Sequence, residues 1–382
     1  MQQKQGIALT APHSKTTLRC EGAGALYIVA VSFKALHEIK IIQSSASPGM
    51  TMAEKMDIVN SFCKNVEASL RTRFLSIMTA ELQITEKDLA ELEAVACKEK
   101  IPPEKIHFYT QLLWEHRYRI VNDGRLLRKF LRIVQWGNFE QAEEARALLG
   151  YWAKPTATEA LSMLGIGSSD SIVRGYAVWV IGSLDDDDLA DYLLQLVQCL
   201  KLERHHDSAL FRFLLRRGLK SPHRVGHYLY WYLRSELHDE QFHSRFRLLL
   251  ETYLTHCGPH RKLLVAQAQV VKQLETITKV VMKIPKKESQ KRVQTLRHEI
   301  ELCDWPEEFE ICLWPGYNCR GVVSHKCKVM DSKMAPLWIE FENADPAGDN
   351  VRVIFKVGDD LRQDQITLQF IKIVNKVALK SG

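Results

Sequence analysis

Lys356 closes the apolar run Val351-Arg-Val-Ile-Phe-Lys356 and stands directly before Val357-Gly-Asp-Asp360. A lysine fixed at a strand end beside a turn is a point charge suited to phosphate oxygens, and its plain reading is a solvated edge lysine. Upstream, Met330-Asp-Ser-Lys333 makes a polar turn between two strand-like runs. There the Ser332 hydroxyl and the turn amides can face an anion. Trp338, in Pro336-Leu-Trp-Ile-Glu-Phe341, can wall an adenine-sized pocket with Met330 and Ile354, or serve only as core packing.

These residues need strands to position them, and the C-terminal quarter of the chain reads that way. Phe309-Glu-Ile-Cys-Leu313 alternates and Pro315-Gly-Tyr317 turns. Residues 336–341 alternate again, and residues 351–356 form the clearest strand. The tail from Arg362 reads as a helix, with Ile366, Phe370, Val374 and Val377 near one face.

Residues 52–269 are helical in pattern almost throughout. Thr85 precedes Leu89, Leu92 and Val95 as an N-cap before apolar residues at helical spacing. Phe108, Leu112, Leu113 and His116 recur on one face. Regular breaks at Asn122-Asp-Gly124, Trp136-Gly137, Gly150, Lys154-Pro155, Gly218 and Ser221-Pro222 imply short helices joined by tight turns, hence a solenoid-like stack of antiparallel helix pairs. Asp185 to Asp188 reads as a solvated acidic helix start that complements the dipole. Residues 263–283 form a further amphipathic helix through Leu264, Val271, Leu274, Ile277 and Val281, running into a basic hinge. Before residue 50 only Leu26 to Phe33 is strand-like.

The chain has 382 residues, 46% hydrophobic and 26% charged, which excludes a wholly disordered chain, a collagen-like fibre and a small disulfide scaffold. No apolar run approaches the roughly 20 residues a membrane-spanning helix needs. The longest, starting at Ala25, leads to Lys34 and reads as a buried strand instead of a secretory signal. Nine cysteines without a CxxC pair speak against zinc and for reduced thiols in a cytosolic protein. The net charge of +6 permits contact with anionic lipid or nucleic acid and proves neither.

Other constellations read blandly. His223 and His227 have i, i+4 spacing but no third ligand, so they are expected to cap and pack, and His205 and His206 are expected at the surface. Lys283, Lys286, Lys287, Lys291, Arg292 and Arg297 make the densest basic stretch, a solvated linker face first and a membrane contact second. Aromatic interleaving of the kind RNA readers use is missing, so no nucleic acid is expected.

The run Lys326-Cys-Lys-Val-Met-Asp-Ser-Lys-Met-Ala-Pro-Leu-Trp-Ile-Glu-Phe341, with Ile354-Phe-Lys-Val-Gly-Asp-Asp-Leu-Arg-Gln-Asp364, resembles the ATP-binding lobe of phosphoinositide 3-kinases. Leu184-Asp-Asp-Asp-Asp-Leu189, Tyr192-Leu-Leu-Gln-Leu-Val-Gln198 and Phe213-Leu-Leu-Arg-Arg-Gly-Leu219 resemble the helical (PIK) domain of the class I enzymes, closest to the class IB or gamma catalytic subunit. The resemblance implies that Lys356 contacts the ATP phosphates, that Ser332 is the phosphate-loop serine, and that Met330 and Trp338 flank the adenine. Ile354 would line the same pocket, and Asp364 would be the acidic residue at its inner end. It implies ATP and Mg2+ as reactant and cofactor, and transfer of the γ-phosphate to the inositol 3-hydroxyl of phosphatidylinositol lipids. Implied partners are a regulatory subunit and an anionic phosphoinositide membrane, with Ras and G-protein βγ as family possibilities. The implied location is the cytoplasm, with recruitment to the plasma membrane.

The expected fold class is α+β: a helical solenoid-like domain, then a partial kinase N-lobe with an antiparallel sheet. The expected division is residues 1–50 as an ill-defined segment with a remnant C2 strand, 51–262 as the helical domain and 263–382 as the partial catalytic domain. The family's Asp-Arg-His loop, Asp-Phe-Gly magnesium site and activation loop do not occur in these residues. The chain therefore reads as a fragment that by itself phosphorylates no lipid, with the region after residue 300 its most mobile part. The competing expectation is a noncatalytic helical scaffold that binds regulatory subunits or competes with the full enzyme.

Overall fold

The computed structural model describes residues 15–22, 25–32, 84–98 and 101–381, apart from Ile166 and Lys333. The chain divides into two compact units, residues 1–93 with 116–119 and residues 94–115 with 120–382.

In the first unit, β1 (Lys15–Gly22) and β2 (Ala25–Ser32) pair as an antiparallel hairpin with Leu18 opposite Val29. The strand expected at Leu26 is β2, while Phe33 and residues 52–83 lie outside the described residues. Helix α1 (Glu86–Cys97), whose residues from Ala94 onward belong to the second unit, starts after Thr85, whose Oγ1 accepts a hydrogen bond from the Asp88 amide at 3.1 Å. This is the expected cap. Leu92 and Val95 are buried, but Leu89 is exposed.

The second unit begins with short helices: α2 (Ile106–Glu115), α3 (Gly124–Ile133), α4 (Phe139–Leu149), α5 (Ala157–Met163), α6 (Ser171–Ile181), α7 (Asp186–Ala190), α8 (Leu193–Cys199), α9 (Ala209–Lys220), α10 (His227–Ser235) and α11 (His243–His256). Each break carries its own local reason. Asp123, Asn138, Asp170, Asp185 and Ser208 accept amide hydrogen bonds as N-caps of α3, α4, α6, α7 and α9, and Thr156 with Glu159 forms a reciprocal capping box on α5. Helix α5 packs on α6, α6 on α9, α9 on α11, and α10 on α8 and α11. On α2 the inward residues are Tyr109, Leu112 and Leu113, and Phe108 points outward. Leu112 and Leu113 face inward as expected, and only the aromatic differs, because Phe108 and Tyr109 both fit the helical spacing and packing selects between them.

Inside this array, the Arg174 guanidinium pairs with Glu203 at 2.7 Å and donates to the Leu164 carbonyl at 2.8 Å. Both side chains are under a tenth exposed, so the charges survive burial only because the fork is bonded on several sides. Three of the four expected solvated carboxylates are also paired: Asp186 with Arg217 at 2.6 Å, Asp187 with Arg224, and Asp188 with Lys376.

Helix α12 (His260–Met282) and helix α13 (Ser289–Glu301) then pack on each other and on the sheet. Leu264, Leu274, Ile277 and Val281 of α12 are buried as expected, but Val270 takes the inward place expected of Val271. The antiparallel sheet comprises β3 (Phe309–Glu310), β4 (Asn318–Val322), β5 (Lys328–Val329), β6 (Leu337–Asn343) and β7 (Val351–Phe355). The expected alternation through Leu313 ends early: β3 is two residues long, and Leu313 is exposed in the following turn. Strand β6 is central, bonded to β4 and β5 along one edge and to β7 along the other. Leu337, Ile339 and Phe341 alternate inward against Leu274, Ile277, Leu296 and Ile300 of α12 and α13. The chain ends in α14 (Arg362–Ser381). Helices followed by a small antiparallel sheet make the protein α+β.

Candidate functional site

Because Leu337, Ile339 and Phe341 face the helices, the period of two turns Trp338 and Glu340 to the opposite face of β6. The register places Ile354 of β7 directly across from Trp338, and Lys328 of β5 across from it on the other side. The Lys328 ammonium lies 5.3 Å from the centre of the Trp338 ring. Ile354 is half exposed. Trp338 and Ile354 thus make an apolar strip on the outward face, as a pocket wall requires.

The same register fixes the position of Lys356. Leu337, the first residue of β6, pairs with Phe355, the last of β7. The turn entering β6 and the turn leaving β7 therefore lie at one end of the sheet. In the first turn the Met330 amide donates to the Pro336 carbonyl at 2.8 Å, and the Ser332 amide donates to the Met330 carbonyl at 3.0 Å. Ala335 closes it in the left-handed region at φ 45°, a strained conformation for a residue with a Cβ. The second turn reverses at Gly358, φ 79°, and the methyl group of Met334 lies 3.5 Å from where a Cβ on Gly358 would sit. The two turns therefore approach each other closely.

Lys356 is about one-third exposed, with its ammonium 3.5 Å from the Asp359 carboxylate. Ser332 is exposed, and so is Met330. Asp364 sits in the first turn of α14, exposed, where its charge complements the helix dipole. Among the described residues no hydrogen bond or ion pair joins Lys356 to Ser332 or Asp364. The structure therefore brings Trp338 and Ile354 into direct register and puts Lys356 and the 330–336 turn at one end of the sheet. It leaves Asp364 on a separate element.

Two groups near this face have no signature in local sequence. Glu340 is buried with its carboxylate bonded to Lys326 at 2.7 Å and Asn350 at 2.9 Å and near Arg352 at 3.5 Å, and the Lys326 bond holds its pKa below the usual carboxylate range. Lys328 reads as one more lysine in a basic run until the β5–β6 register sets it over Trp338. The only sequence hint is the strand period that puts Glu340 on the same face as Trp338.

Elsewhere, His227 is fully buried as expected, whereas His223 is exposed and meets the ring of His260 edge-on at 5.0 Å. Among the described residues no group of three or more His, Cys, Asp or Glu side chains could hold a metal ion. Among the described residues, Cys97, Cys199, Cys257, Cys303, Cys312, Cys319 and Cys327 form no disulfide. No described helix is long and apolar enough to cross a membrane.

Residues 80–266 match the accessory (PIK) domain of the phosphoinositide 3-kinase family. Phosphatidylinositol 3-kinase 2 of Dictyostelium discoideum is 38% identical over 272 residues, covering 71% of this chain and 14% of the relative. Phosphatidylinositol 3-kinase 1 of the same organism is 37% identical over 341 residues, covering 89% of this chain and 21% of the relative. The chain is homologous to phosphatidylinositol 3-kinases, and the two findings together support a member of that family. It spans between 14% and 21% of the length of these relatives.

Proposed function

We propose that the chain is part of a phosphoinositide 3-kinase catalytic subunit, of class I and nearest the class IB or gamma type. In this reading the helical array is the scaffold and the C-terminal sheet the ATP-facing small lobe. The observation that carries it is the strand register: Trp338 opposite Ile354, with Lys356 and the Met330–Ser332 turn at the same end of the sheet. Trp338, Ile354 and Met330 would enclose the adenine, while Lys356 and the Ser332 hydroxyl would bear on the phosphates. Asp364 would serve the inner end of the pocket once α14 and the sheet are brought together.

Transfer to the inositol 3-hydroxyl rests mainly on positioning and charge neutralisation, and the share of this chain is to hold and orient the triphosphate. A regulatory subunit, Ras, G-protein βγ and an anionic phosphoinositide membrane belong to this proposal as partners. A cytoplasmic location with recruitment to the plasma membrane belongs to it as well.

Titration of the purified chain with a fluorescent ATP analogue tests the reading. Binding is expected to weaken about tenfold or more in Lys356→Ala and Trp338→Ala, since one charge-assisted phosphate contact contributes roughly 1.5–3 kcal/mol. Equal affinity in wild type and Lys356→Ala would refute the nucleotide assignment. The outward-facing Ile366, Phe370 and Val374 of α14 favour a second reading, a noncatalytic scaffold that binds regulatory subunits or competes with the full enzyme, which predicts no nucleotide binding by the wild-type chain at all.

A further inference from the structure

Helix α3 carries four cations as two i, i+4 pairs, Arg125 with Lys129 and Arg128 with Arg132. Like charges at that spacing oppose helix formation. The fold uses the first pair: Arg125 meets the Asp123 carboxylate at 2.7 Å, and the Lys129 ammonium donates to the Ala96 carbonyl at 2.7 Å. It does not use the second. Among the described residues neither Arg128 nor Arg132 has a hydrogen bond or an ion pair. Arg128 is half-buried and Arg132 exposed.

Both arginines line a recess of about 250 Å³ where α3 packs beside the C-terminal end of α5 and the loop after it. Cations there complement the α5 dipole, yet neither guanidinium bonds a terminal carbonyl. Ser162, Met163 and Ser168 share the wall, and no carboxylate does. The Ser162 hydroxyl donates to the Glu159 carbonyl at 2.6 Å, whereas the Ser168 hydroxyl has no partner among the described residues. Arg128 and Arg132 also line an adjoining depression with Lys98, Lys129 and Glu159. The Glu159 carboxylate is already held by the Thr156 amide at 2.7 Å.

These residue types narrow the ligand. Two guanidinium forks one turn apart suit an oxyanion with several acceptor oxygens, because each fork can take two of them. The recess is smaller than the roughly 300–1,000 Å³ of pockets for whole drug-sized molecules, so it fits one anionic group and not a nucleotide. Two positive charges balance a phosphate monoester, which carries about −1.5 to −2 at neutral pH. The apolar residues of the recess, Leu131 and Met163, are buried, so neither is free to enter a bilayer. The adjoining cationic depression suits acidic residues that flank the phosphate.

We propose that Arg128, Arg132 and the Ser168 hydroxyl form a binding site for a phosphorylated side chain of a partner protein. The site stands on its own geometry and does not depend on the nucleotide-binding reading above.

The test is fluorescence anisotropy of a dye-tagged peptide, phosphoserine between two pairs of glutamates, titrated with the full chain beside its unphosphorylated counterpart. Wild type is expected to prefer the phosphorylated peptide by about tenfold or more, and by less as salt rises. Arg128→Gln/Arg132→Gln is expected to abolish that preference. Arg128→Lys/Arg132→Lys is expected to recover little of it, because an ammonium lacks the fork. An equal charge change at exposed positions of α9 and α12, Arg216→Gln/Arg261→Gln, is expected to leave it intact. Circular dichroism melts check that all three variants stay folded. Equal binding of the two peptides by wild type, or no binding of either, would overturn the proposal. So would an equal loss in the control pair, which would reduce the effect to net charge. Capture of vesicles containing a phosphorylated phosphatidylinositol, lost in Arg128→Gln/Arg132→Gln and without binding of the peptide, would overturn it in favour of a lipid headgroup.

Discussion

His227 donates its Nε2 proton to the carbonyl oxygen of Cys312 at 2.8 Å, tying α10 of the helical array to the chain just beyond β3. A carbonyl can only accept, so this bond fixes the neutral tautomer and leaves Nδ1 buried without a protein partner. Next to it, His260 meets the Tyr253 hydroxyl through Nδ1 at 2.9 Å, and its Nε2 is likewise unpartnered.

Both rings resist protonation. Burial lowers the pKa of His227 from 6.5 and, with the nearby His223 and His227, lowers that of His260 to about 4. The unfolded chain takes up these protons near pH 6.5, whereas the folded chain does so only at lower pH. Stability should be independent of these histidines above pH 6.5 and fall as pH drops from 6.5 toward 4. Urea midpoints measured between pH 8 and about pH 5 check this, before most carboxylates titrate. The slope should shrink in His260→Gln, and an unchanged slope would contradict the account.

Gly226 allows a close crossing. A Cβ there would lie 2.0 Å from the Tyr253 hydroxyl oxygen and 2.8 Å from the Gly218 carbonyl oxygen. The carbonyl is backbone and cannot swing away. Gly226→Ala should destabilise the chain by about 3 kcal/mol, the upper part of the overpacking range. Gly137→Ala, with nothing within 4 Å, serves as the control and should change the thermal midpoint little.

Removing one side of the Arg174–Glu203 pair strands the other charge in the array. Arg174→Met should lower unfolding free energy by about 3–5 kcal/mol, and Arg174→Lys should recover little because lysine cannot reproduce the fork. Pairing Arg174→Met with Glu203→Leu should restore much of the loss. Chemical denaturation of the four proteins reads this directly.

Helix α14 rests on the array through its polar edge. Lys372 meets Asp191 at 2.6 Å, Lys376 meets Asp191 at 3.0 Å and also Asp188, and Gln369 exchanges hydrogen bonds with Gln195. Burial alone would raise the Asp191 pKa, but the two lysines outweigh it and hold it down. With the polar edge inward, Ile366, Phe370, Val374 and Val377 are left facing outward. Lys372→Glu/Lys376→Glu should speed amide hydrogen exchange throughout α14 while leaving α12 protected. The swap Asp191→Lys/Lys376→Asp should slow it again relative to Lys376→Asp alone.

What the amino-acid sequence determined by itself is local: the caps at Thr85, Asp123 and Thr156, the strand period through Leu337, Ile339 and Phe341, and the turns at Gly358 and Pro222. These depend on neighbours within a few residues, which a linear reading can weigh. The tertiary structure alone decided which of Phe108 and Tyr109 turns inward, that Asp186 to Asp188 are paired, and that His227 meets Cys312. It also set Lys376 against Asp191, 185 positions away. Helical and strand periods name the faces of an element but not what each face meets, so partners brought together by packing leave no mark in the spacing of either.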